Sequence, residues 1–332
     1  MKLLALLVLL VACSESKKPE IKRDHDRQRL EPPTRGVRAL PPHAIRADGV
    51  GPYKLGATVT QLLDQLPSGP RITQFSLPGV IQRDILRAED GAILIGTEPQ
   101  GKAMFVSVVR SEIARTESGV HVGSTREQLE EALGAPVKDP ERAQDPRIVI
   151  PSKLEHARAL FAGDRIVGLV LAAEPERPKD KPNSGEPRDP AEAEKAVAKI
   201  GLTGVVFSAM LRNPNDGRDD IVAIVKREDA LSHTWALVAY RANDGKYVRT
   251  IEQDVYQLTA ANARWIGAEL RDLELYLELT SRADSIEVGG LLTTRVGEKI
   301  RDIVVIQPVS VARKRAKPIP HDSNDAGTSD AQ

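Results

Sequence analysis

Residues 51–66, GPYKLGATVTQLLDQL, lie over residues 118–133, SGVHVGSTREQLEEAL, at an offset of 67. Gly56/Gly123, Thr58/Thr125, Gln61/Gln128, Leu62/Leu129 and Leu66/Leu133 are identical, and Leu55/Val122 keeps its apolar character. An internal repeat names the building unit of a chain. Each threonine with the glutamine three residues on fits a capping box, in which the hydroxyl caps a helix start and the amide reaches back. Leu62 with Leu66, and Leu129 with Leu133, then share one helical face. Gly134 and Pro136 stop the second helix, and Gly56 and Gly123 mark a tight backbone where an extended piece turns into the helix.

Working outward, each helix is followed by strand-like runs. In the first repeat these are 71–77, 80–86, 92–96 and 103–109; in the second, 147–150, 157–162 and 165–171, with a Gly163-Asp164 hairpin between the last two. The expected fold is an α+β tandem-repeat module over 49–173, one helix plus an antiparallel meander used twice. A proline-rich charged segment at 174–190 reads as a linker. Asp189-Pro190 opens and Gly201 closes a short helix. Strand patterns at 205–211, 221–226, 234–241, 246–251, 273–279, 286–292 and 302–309 predict a mainly β domain over 191–312, a sandwich or barrel. Phe207, Trp235, Tyr240, Tyr247, Tyr256, Trp265 and Tyr276 fall in that half. They read first as packing anchors and second as an aromatic face for sugar or peptide. Residues 313–332 read as a disordered tail.

The Gly-Ser-Thr-x-x-Gln-Leu-x-x-x-Leu-Gly-x-Pro pattern at 123–136 resembles the SmpA/OmlA family of small envelope lipoproteins. The tandem layout more loosely resembles the β-lactamase-inhibitor-protein fold. Both resemblances imply a non-enzymatic, protein-binding role. They cover about 16 residues per repeat, and in the first repeat Pro67 replaces the glycine-containing stop.

The chain begins MKLLALLVLLVACSES. Lys2 and the apolar run behind it form an export signal over 1–12, shorter than the roughly 20 residues that span a bilayer. Leu10-Val11-Ala12-Cys13 resembles the lipobox of bacterial lipoproteins, which implies a diacylglycerol on the Cys13 thiol and an acylated Cys13 amino group. Ser14 at the next position leans towards the outer membrane, with the folded part periplasmic or surface-exposed. Residues 13–48 then read as a disordered, lipidated tether, whose relaxed span is roughly 30–35 Å. Cys13 is the sole cysteine, so no disulfide forms within one chain. Lys plus Arg and Asp plus Glu are 47 each, a net charge of zero. That balance argues against a nucleic-acid partner. The partners expected are the membrane, through the anchor, and another envelope protein.

Asn213-Pro214-Asn215-Asp216-Gly217-Arg218-Asp219-Asp220-Ile221 resembles the calcium-binding loop of FG-GAP/VCBS-type proteins. The resemblance implies oxygen ligands from Asn215, Asp216, Asp219 and Asp220, since calcium takes six to eight oxygens. Arg212 stands where the pattern has its leading acid, and the loop occurs once. Calcium or carbohydrate binding by the C-terminal domain is therefore the alternative function. Of six histidines no pair has i, i+4 spacing, and no HExxH, GxSxG, P-loop or GxGxxG pattern occurs. The leading expectation is a non-catalytic binding lipoprotein.

Overall fold

Both threonine caps form. Thr58 opens α1 (Val59–Asp64) and Thr125 opens α2 (Arg126–Leu133), each with the reciprocal glutamine bond of a capping box. Asp189 caps α3 (Pro190–Ile200), which ends on Gly201 in the left-handed region. The structure, a computed structural model, describes residues 42–66, 71–77, 79–98, 101–154, 156–173, 188–243 and 246–313. Cys13 and the signal lie outside the described residues, as do 174–187 and the tail beyond 313.

The rest is strand. β1 (His43–Arg46), β2 (Gly49–Val50) and β3 (Tyr53–Lys54) precede α1. Between α1 and α2 run β4 (Arg71–Leu77), β5 (Ile81–Ala88), β6 (Ile93–Thr97), β7 (Ala103–Val108) and β8 (Ala114–Thr116). After α2 come β9 (Arg142–Gln144), β10 (Ile148–Val149), β11 (Ala157–Ala162) and β12 (Arg165–Ala172). After α3 come β13 (Val205–Arg212), β14 (Asp219–Glu228), β15 (Ser232–Asn243) and β16 (Lys246–Thr259). A short helix α4 (Ala260–Trp265) leads to β17 (Leu273–Ser281), β18 (Ser285–Val296), β19 (Lys299–Val305) and β20 (Val309–Ala312).

The expected α+β tandem module is corrected by this arrangement. Of the described residues 54% are strand and 15% helix, and the strands fall in four largely antiparallel sheets. The physical reason lies in lengths and edges. α1 and α2 have six and eight residues and bury one leucine each, Leu62 and Leu129, which is too little to make a layer. The meanders meanwhile would leave open edges. They are joined instead: β12 pairs with β7, giving one seven-stranded sheet in the order β10-β11-β12-β7-β6-β5-β4. β9 leaves the second repeat altogether and pairs with β17 in a five-stranded sheet with β18, β19 and β20. β1 parallel to β8, with β2 and β3, makes a small sheet, and β13 to β16 make a four-stranded meander. β1 also shortens the tether, since Ile45 is buried within the stretch read as disordered up to Asp48.

Alternation along the strands sorts the core. In β6, Ile93 and Ile95 face Tyr53, Leu62 and Leu129, while Leu94 faces the five-stranded sheet. β19 lies across β6, β7 and β12. Gly168 of β12 makes room for this crossing: a methyl group there would sit 1.8 Å from Ile303 Cδ1. The inner side of the β13–β16 sheet (Leu211, Val222, Leu237, Ile251) joins the same apolar cluster. Its outer side, Ile221, Ala223, Val238 and Tyr240, is covered by Ala196 and Val197 of α3. Each fully buried aliphatic side chain contributes roughly 1.5–3 kcal/mol.

Candidate functional site

At one end of the seven-stranded sheet four connections converge: the turn Glu89–Gly91 between β5 and β6, the segment 109–112 after β7, the β11–β12 turn and the β18–β19 hairpin. They enclose a cleft of about 1500 Å³. Arg87, Arg110, Arg165, Arg295, Lys299 and Arg301 line it, with Glu89, Asp90, Glu112 and Glu298. The one side-chain hydroxyl among the lining residues is that of Ser111, and no histidine is among them.

The Glu89–Gly91 turn is strained. Glu89 and Asp90 hold φ of 50° and 53°, a left-handed conformation that costs a non-glycine residue on the order of 1–3 kcal/mol. Neighbours fix it there. The Glu89 carboxylate accepts from the Tyr53 hydroxyl at 3.1 Å and lies 3.0 Å from His43 Nε2, and Arg110 donates to the Asp90 carbonyl at 3.0 Å. Burial, and then the charge of Glu89, push the Tyr53 hydroxyl well above the usual phenol range. Such strain clusters where a surface is held ready for a ligand.

Behind the cleft sits Asp302, with no exposed side-chain surface. Arg87 donates to its Oδ1 at 2.5 Å, and Thr294 and Arg301 donate to its Oδ2 at 2.6 and 2.7 Å. Burial alone would raise this carboxyl. The hydrogen bonds from Arg87 and Thr294 outweigh it and hold Asp302 below the ordinary carboxylate range. Arg301 also donates to the carbonyls of Ile266 and Gly267, the residues after Trp265. That ties the cleft wall to an indole that is 77% exposed. Val296, at the end of β18, is 61% exposed.

A second cluster adjoins through Arg295. Tyr276 donates to Glu274 Oε2 at 2.7 Å, Arg147 donates to Glu274 Oε1 at 2.5 Å, and the Arg147 guanidinium stacks 4.3 Å from the Tyr276 ring centre. Burial opposes the Glu274 charge, but the Tyr276 and Arg147 hydrogen bonds lower its pKa.

No family model, curated protein or solved structure matches this chain.

The residues singled out in the sequence lie elsewhere. In the 213–221 loop, Asn215 donates to the Ala283 carbonyl at 2.8 Å. Asp216 accepts from Arg241 at 2.8 Å. Asp219 accepts from Arg188 at 2.8 Å and Arg212 at 3.3 Å. Asp220 accepts from Arg241 at 2.9 Å and Arg313 at 3.1 Å. Every carboxylate of the loop thus faces a guanidinium, and Arg212 itself holds Asp219. Among the described residues no group of three or more His, Cys, Asp or Glu is placed to hold a metal ion. His121 is taken up by the Gly119 carbonyl at 2.9 Å and by Ser124 at 3.2 Å. His233 stands edge-on to Trp235. No helix among the described residues is long and apolar enough to cross a membrane.

The cleft residues carry no motif. They come from positions between 66 and 301 and meet only through the sheet order. The one local signal is Glu89-Asp90-Gly91, a turn tripeptide between two apolar runs.

Proposed function

We propose that this chain is an envelope lipoprotein, tethered through Cys13, whose folded unit binds another protein and catalyses nothing. The observation that carries the binding role is the cleft: wide, strained at one wall, and lined by charges of both signs. Among the described residues Arg110 and Arg165 are tied only to backbone carbonyls, of Asp90 and Gly123, so their charge is available to a partner. Complementary charge of this kind steers encounter and fixes register between proteins. The neighbouring Trp265 supplies the large, rigid apolar area that anchors interfaces. The lipobox-like Cys13 supports the location, since two or three acyl chains hold a protein firmly to a bilayer while one holds it marginally.

Two measurements test the reading. Cys13→Ser should abolish incorporation of labelled palmitate and release the protein from the membrane fraction; retention would sink the anchor. Arg110→Glu with Arg165→Glu should leave the melting curve within a few degrees of the parent and abolish recovery of one specific envelope protein from native membranes. Equal recovery by the parent and the doubly reversed chain would sink the cleft as the binding surface.

A further inference from the structure

On β5, Ile81, Arg83, Ile85 and Arg87 alternate onto the face that meets the five-stranded sheet, with Ile81 and Ile85 fully buried in the shared core. Arg87 meets Asp302 there. Arg83 meets a cavity of about 290 Å³ between the two sheets, away from the cleft. Arg158 and Arg282 line the same cavity, but each is engaged: Arg158 donates to Glu278 at 2.6 Å and Arg282 donates to Glu287 at 2.9 and 2.7 Å. Arg83 has neither a hydrogen bond nor an ion pair among the described residues, and Glu98 is the one charge that bears on it. Burial accordingly pulls its pKa down from the ordinary guanidinium value.

A guanidinium taken out of water without a partner is costly. It presents five donors in a planar fork that fits a carboxylate or phosphate through two parallel bonds. Arginines outnumber glutamates in the lining, so the cavity as a whole favours an anion. Glu278 and Glu287 penalise a dianion. Met104, Ile150 and Leu279 give the remaining wall an apolar character.

We infer that the Arg83 cavity is a binding site for a small monocarboxylate with an apolar body, its carboxylate held two-pronged by Arg83. The site is separate from the cleft and does not depend on the partner proposed for it.

Titration of the full-length protein by calorimetry with hexanoate, inorganic phosphate and neutral hexanamide tests this. Hexanoate should bind saturably and raise Tm, at least tenfold more tightly than phosphate, with hexanamide silent. Arg83→Met should weaken hexanoate at least tenfold while melting no lower than the parent without ligand. Arg83→Lys, which keeps the charge but loses the fork, should stay folded and bind hexanoate several-fold more weakly; it carries the test if the methionine variant does not fold. Absence of hexanoate binding, equal binding by the parent and the Arg83 variants, or phosphate binding as tightly as hexanoate would overturn the inference.

Discussion

Arg83 and Arg87 sit four residues apart on one face of one strand and look onto the same neighbouring sheet. Arg87 finds Asp302, and the ion pair is completed by Thr294 and Arg301. Arg83 makes no ion pair among the described residues, with Glu98 the one charge that bears on it, and opens onto a cavity. The two positions contrast two uses of a half-buried cation. Where the chain supplies the counter-ion, the arginine locks two sheets together. Where it does not, the desolvated charge is left for something from outside.

The sharpest way to break this comparison is at Asp302. Asp302→Ala would strand Arg87 and Arg301 beside a buried, uncompensated site and should cost about 3–5 kcal/mol in urea unfolding, the usual loss when one partner of a buried pair is removed. A loss below about 1 kcal/mol would mean that water already reaches the pair.

Acid should act on the same side of the comparison. Asp302 and Glu274 have lowered pKa values in the folded state, so they bind protons more weakly there than in the unfolded chain. Their contribution is complete above the unfolded carboxylate pKa of about 4 and is lost as pH falls through the folded values. Each unit of depression corresponds to about 1.4 kcal/mol. Urea midpoints measured from pH 6 to pH 2.5 should be flat to about pH 4 and then fall, and Asp302→Asn should flatten that fall. A midpoint that rises on acidification would contradict the assignment.

Smaller again are the helix caps. Thr58→Ala and Thr125→Ala should each lower stability by about 1 kcal/mol through the lost hydroxyl acceptor. An unchanged melting curve would mean that the short helices add nothing beyond the leucines they bury.

The smallest effect is expected at Arg83 itself. Arg83→Met should leave stability unchanged or raise it, because the substitution removes a half-buried charge that makes no hydrogen bond or ion pair among the described residues. A loss as large as that of Asp302→Ala would erase the distinction between the two arginines.

The pattern of what the sequence revealed follows interaction range. The Thr58/Gln61 and Thr125/Gln128 boxes are local, and both form as read. So are Asp189 and Gly201 at the ends of α3 and the hairpin closed by Gly163, which holds φ of 60°. The strand runs 71–77 and 157–162 appear as β4 and β11 with the same ends. The grouping of strands was not legible, because hydrogen-bond partners are chosen by edges rather than by sequence neighbours. Nothing in RAQ at 142–144 announces that β9 will pair with residues near 279, and the two meanders carry no mark that β7 and β12 will meet. The short β1 was hidden for another reason. His43-Ala44-Ile45-Arg46 follows a charged, proline-rich stretch, and it becomes a strand through a parallel partner, β8, about 70 residues on.

The same holds for the sites. The acidic 213–221 loop was conspicuous because its residues are consecutive, and its carboxylates turn out to face Arg188, Arg212, Arg241 and Arg313. The cleft was invisible because Arg87, Arg110, Arg165 and Lys299 come from four separate segments. Arg83 looks like any charged residue in a half-polar strand until the neighbouring sheet covers it.

The central claim, that the tethered unit recognises another protein through the cleft, is tested most directly inside cells. A photo-crosslinking residue placed at Val296, exposed on the cleft's hairpin, should trap one discrete envelope protein. The same residue placed at Lys246, exposed on a strand outside the cleft, should trap none. A single adduct at Val296 that disappears when Arg110 and Arg165 are reversed to glutamate is the result expected. No adduct, or the same adducts from both positions, would contradict it.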